Sequence, residues 1–158
     1  MATSTVDGTV EEAVMKRRRA KHSFYERVKF RLDDGSTKTW TKAHVLNDVA
    51  ALLVPGTRGR FYLFTAIDHR GISGVRTDDG REAFGVNPVN EYAGLGIFIS
   101  MTLLTILYVT VLEKISIIAL VLAILGVPMF FLYRQNRVDA EKAFRADAGY
   151  RPPAAAAG

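Results

Sequence analysis

The sequence predicts an α+β membrane protein: a small N-terminal antiparallel β domain followed by a two-helix transmembrane hairpin. Three observations carry this. Charged residues make up 23% of the 158-residue chain, yet between positions 93 and 133 only Glu113 and Lys114 are charged. Two uncharged apolar runs, 93–112 and 115–133, hold 20 and 19 residues. A helix of that length is about 30 Å long, the thickness of a hydrocarbon core. Upstream, from Phe24, the apolar period is mainly two, broken by turn residues, which is the signature of half-buried strands.

The elements follow in order. Residues 1–22 form a polar and then basic segment, and the first eight, MATSTVDG, read as disordered. Thr9 and Glu12 match a capping box. Glu11 and Glu12 would sit at a helix start and Lys16 to Lys21 at its end, complementing the macrodipole. A helix over 10–21 is expected.

Residues 23–90 are expected to fold as a cytoplasmic β-rich domain. Val28, Phe30 and Leu32 alternate with Arg27, Lys29 and Arg31, which makes a strand with one wet face. Asp33-Asp34-Gly35 turns the chain, and 36–40 returns as a second strand. Thr41 can cap a helix over 42–53, with Val45, Val49, Leu52 and Leu53 on one face and Pro55-Gly56 at its end. Residues 60–67 form the strongest strand, and 68–71 turn it. Residues 72–76 and 82–86 follow, separated by Asp78-Asp79-Gly80. The order is strand-strand-helix-three strands. So few residues can bury their aromatic side chains only in a curled sheet or a small barrel.

Eleven residues of 93–112 are Leu, Ile, Val or Phe. One continuous helix over 93–133 would reach about 60 Å, twice the bilayer core. The chain is therefore expected to turn at Glu113-Lys114 and form an antiparallel hairpin, with a re-entrant hairpin as the alternative. Gly96 and Ser100 in the first span, and Ser116, Ala119, Ala123 and Gly126 in the second, are small residues at helical spacing. They are expected to form the packing faces. Lys and Arg flank the pair of spans on both sides, so both termini are expected in the cytoplasm and the spans in the plasma (inner) membrane. The first 20 residues contain no apolar signal-peptide core. Residues 134–158 read as a basic, then Pro/Ala-rich, largely disordered tail.

The chain has no cysteine, which excludes a disulfide framework, thiolate catalysis and Cys zinc sites. The Asp pairs at 33–34 and 78–79 each precede Gly and read as turn chemistry, not calcium ligands. His22, His44 and His69 have no metal-ligand spacing. The Gly-containing stretch 55–59 lacks the Gly-Lys-Ser/Thr of a phosphate loop. No catalytic, metal or cofactor-binding residue is expected. One feature rises above background: Lys16, Arg17, Arg18, Arg19 and Lys21. Near a cytoplasmic membrane face such a run attracts anionic lipid headgroups. The alternatives are a solvated run that only enforces topology and, more weakly, nucleic-acid binding, since the domain beyond the run is nearly charge-balanced. The expected function is to bind a protein partner, or a second copy, in a membrane complex. A pore-forming protein and a membrane-anchored enzyme are the alternatives.

Overall fold

The computed structural model describes residues 2–66 and 69–150. The chain divides into two units, Met1–Val86 with Asp139–Gly158, and Asn87–Val138.

The first unit is built on a long strand, β1 (Ala2–Arg18). Its first half pairs antiparallel with β4 (Arg58–Thr65), and its second half with β2 (His22–Leu32). Gly8 belongs to both ladders, facing Leu32 and Gly59. A Cβ there would lie 2.2 Å from the Arg31 carbonyl oxygen, so only glycine admits this approach. β3 (Thr37–Leu46) pairs with β2, and β5 (Arg70–Thr77) pairs with β4. A short parallel pairing of β3 with β5, from Ala43 to Val45, closes these five strands into a barrel. β6 (Glu82–Phe84) adds to β5. The Asp-Asp-Gly turns have matching geometry, with φ of 80° at Gly35 and 83° at Gly80. Val10, Val28, Phe30, Val45, Phe61 and Ile72 fill the barrel. Each such side chain contributes about 1.5–3 kcal/mol on burial.

Three expectations for this unit are corrected. Residues 2–18 are strand, not a disordered start followed by a helix. Local capping signals lose to sheet packing: Val6 and Val10 point into the core, while Glu11 pairs with Lys29 and Arg31, and Glu12 with Arg27, across strands. The helix expected over 42–53 shrinks to α1 (Asn47–Ala50). Val45 and Val49 are both buried, one from strand and one from helix, so an i,i+4 spacing served two different elements. The tail is helical as far as Ala146, because Ala140 and Phe144 bury themselves in the barrel unit. Ile67 and Asp68 of the expected strand and turn, and 151–158 of the expected tail, lie outside the described residues.

The second unit contains α2 (Val89–Leu112) and most of α3 (Ile117–Ala146), both long and apolar enough to cross a membrane. α2 ends where Glu113 adopts a left-handed conformation, φ 52°, and the Lys114 N–H donates to the Tyr108 carbonyl at 3.2 Å. The Ser116 hydroxyl accepts from the Ala119 N–H at 3.3 Å, capping α3. Thr105 and Thr110 return their hydroxyls to the carbonyls of Met101 and Ile106. At the open end of the pair, Arg137 Nε donates to Glu91 Oε2 at 2.9 Å, and Glu91 is buried.

The contact face of α3 carries Ala119, Ala123 and Gly126, all buried, with Ser116 half-buried. The face of α2 that meets it is not the expected one. Gly96 and Ser100 are exposed, and a Cβ on Gly96 would meet nothing within 4 Å. Gly94 is the close-approach residue: a Cβ there would lie 2.9 Å from the Phe130 nitrogen. A Cβ on Gly126 would lie 2.9 Å from the Gly94 carbonyl oxygen. Gly94 and Gly126 therefore face each other, two positions before the expected pair on α2. At 100° per residue that rotates the face by more than half a turn.

Candidate functional site

The basic run folds as the tip of the β1–β2 hairpin. Residues 19–21 make the turn, closed by the Arg19 N–H donating to the His22 carbonyl at 2.7 Å. One side chain fixes its shape. Asn47, the first residue of α1, donates from Nδ2 to the Arg19 and Ala20 carbonyls at 3.1 and 2.9 Å. Its backbone N–H donates to the Lys21 carbonyl at 3.1 Å. Its Oδ1 accepts from the Ser23 hydroxyl at 2.9 Å. Three successive carbonyls are thus held from one residue, and the side chains of the turn are left to face water.

Lys16, Arg17, Arg18, Arg19 and Lys21 are all exposed, and among the described residues none pairs with a carboxylate. Most arginines elsewhere in the barrel are paired, although Lys38, Lys42 and Arg70 have no carboxylate partner among the described residues. Arg27 pairs with Glu12, Arg58 with Asp33 and Asp78, and Arg60 with Asp7 and Asp147. Arg76 pairs with Glu82, and Arg81 with Asp79. The hairpin tip is therefore a concentrated, uncompensated positive charge.

A row of rings continues from the tip across the sheet. The register places Arg17 opposite Phe24, Phe24 opposite His44, and His44 opposite Gly71. Phe24 and His44 stack at 4.6 Å with their planes 3° apart, and the Arg19 guanidinium lies 5.9 Å from the Phe24 ring centre. His22 lies 4.8 Å and His69 5.9 Å from His44, ring centre to ring centre. Burial, with the nearby His22 and His69, pushes the His44 imidazole down to about 4. Sequence spacing gave no sign of this histidine cluster, since its members come from β2, β3 and the β4–β5 connection. Cross-strand register alone brings them together. Among the described residues, no three His, Cys, Asp or Glu side chains are arranged to hold a metal ion.

A second polar cluster forms where residues 139–150 pack on the barrel. Asp147 accepts from Arg60 at 3.1 Å and from the Tyr62 hydroxyl at 3.0 Å. Burial first, and then the Asp147 carboxylate, push the Tyr62 phenol up to about 12. Phe144 packs between Tyr62 and Phe84, with the Arg76 guanidinium 4.1 Å from its ring centre. A cavity of about 280 Å³ beside it is lined by Thr3, Ser4, Thr5, Ser73 and Ala143. Among its described lining residues, Tyr62 included, there is neither an ionisable pair nor a nucleophile–base pair. Another cavity, about 410 Å³, lies against Arg58, Asp78 and Asp79. There burial raises the Asp78 carboxyl despite the Arg58 guanidinium beside it.

No protein-family profile, curated protein or solved structure matches this chain.

Proposed function

We propose that this chain is a small integral membrane protein, with α2 and α3 crossing the bilayer as a hairpin and the barrel serving as a cytoplasmic binding module in a membrane complex. The observation that carries the reading is the composition of the barrel unit. It takes its residues from both sides of the apolar insertion, from the N-terminal 86 and again from Asp139 onward. A chain that leaves and re-enters one folded unit must cross a bilayer an even number of times between. Large apolar side chains along the helices, among them Leu103, Ile106, Val111, Ile118 and Ile124, are exposed, an arrangement suited to lipid. Lys and Arg on either side of the helices support the cytoplasmic reading of the barrel.

A partner-binding role, with a protein partner or a second copy, accounts for a folded barrel that a simple pore-former would not need. Purification of the full chain in mild detergent tests it. The reading expects a stoichiometric partner or a defined homo-oligomer, and no dye leakage from liposomes that hold the protein. A lone monomer that makes liposomes leak would overturn it.

A further inference from the structure

We infer that the β1–β2 hairpin tip is a docking site for anionic phospholipid headgroups, through Lys16, Arg17, Arg18, Arg19 and Lys21. This rests on the membrane-anchored reading above and names the surface that the barrel touches. Three observations favour a lipid surface over other anions. The five cations are exposed and uncompensated, whereas neighbouring Arg and Lys on β2 are neutralised across strands. The site is the end of a hairpin, a shape that meets a flat surface, and it lacks the groove in which a single nucleic-acid strand is tracked. Asn47 holds the three carbonyls of the turn, so the charges are presented on a pre-formed scaffold and little order is lost on contact.

Flanking residues suit an interface. Met15 is 44% exposed beside the run, Ala20 is exposed within it, and Phe24 lies under Arg19. Only residues 85–88 separate β6 from α2. Four residues span at most about 14 Å, so the barrel of an inserted chain stays near the headgroups. A basic residue close to an anionic surface strengthens binding about fivefold, and the effect fades beyond a Debye length.

The test uses the full chain in nanodiscs. The protein has no cysteine, so Ala20→Cys provides a unique labelling site at the tip. A fluorophore there is quenched by headgroup-nitroxide lipid when the tip sits on the membrane. Quenching should rise several-fold when phosphatidylglycerol is added to phosphatidylcholine. It should vanish near 1 M salt, where the Debye length is about 3 Å. Replacing the five cations by Gln, singly and then together, should reduce it in steps. Equal quenching in neutral and anionic discs would overturn the proposal. So would insensitivity to the Gln series, or protection of the label by a single-stranded oligonucleotide in preference to lipid. If the chain does not enter discs, the anchoring reading fails separately. The tip is then tested by co-flotation with vesicles of the same two compositions, under the same expectation.

Discussion

Asn47 illustrates how a single side chain can organise a surface. It satisfies the carbonyls of Arg19, Ala20 and Lys21 from a position 26 or more residues away in sequence. Asn47→Ala should lower unfolding stability by about 1–3 kcal/mol, read from denaturant titration in mild detergent. An unchanged midpoint would mean that the turn holds itself. Nothing in the sequence marks this residue, which lies inside the run that reads as a 42–53 helix. His44 gives a pH-dependent counterpart. Its folded-state value, about 4, lies below its ordinary 6.5, so the unfolded chain binds more protons between those values. Stability from this group is complete above about pH 6.5 and is lost as the pH falls toward 4. The ring is partly exposed, so the loss should be on the order of 1–2 kcal/mol. His44→Gln should flatten that slope in urea midpoints taken across the range. A slope of equal size in the variant would place the titration elsewhere.

Among the elements, the helix pair and the end of α3 carry the sharpest expectations. Gly94 and Gly126 leave no room for a side chain, whereas Gly96 has open space. Gly126→Leu and Gly94→Ala should destabilise the hairpin by roughly 1–3 kcal/mol, and Gly96→Ala should be nearly neutral. Thermal shift in detergent reads the difference, and equal effects at the three positions would contradict close packing. Beyond the helix pair, Phe144→Ala should cost about 3 kcal/mol and open residues 139–150 to protease, because Phe144 is buried against Tyr62 and Phe84. Unaltered protease resistance of that segment would argue against its docking. The sequence was informative unevenly at this scale. The long apolar runs and the Asp-Asp-Gly turns are local signals, and both are legible. The strand identity of 2–18 is not, since Glu11 and Glu12 find their cations on β2, a partner no local pattern can specify. The small-residue face of α3 could be read from its own spacing. The face of α2 could not, because two glycines, Gly94 and Gly96, compete and only the partner helix chooses between them.

For the whole molecule, the architecture follows from one discontinuity. A barrel closed by β3–β5 pairing is joined by residues from beyond an apolar two-helix insertion. The sequence separates the apolar insertion from the β domain clearly, because charge segregation is a property of composition. It leaves the return of 139–150 to the barrel unseen, because Ala140 and Phe144 are only two buried positions in a stretch that otherwise reads as solvated. The central claim, a membrane hairpin with the barrel and residues 139–150 on one face, is tested most directly by single-cysteine accessibility in intact cells. The chain has no native cysteine, so Ala20→Cys, Lys114→Cys and Ala148→Cys each report one position, and all three positions are exposed. A membrane-impermeant maleimide should label Lys114→Cys from outside, and should label Ala20→Cys and Ala148→Cys only after the membrane is opened. Labelling of Ala20→Cys or Ala148→Cys in sealed cells, or a shielded Lys114→Cys, would contradict the two-span arrangement.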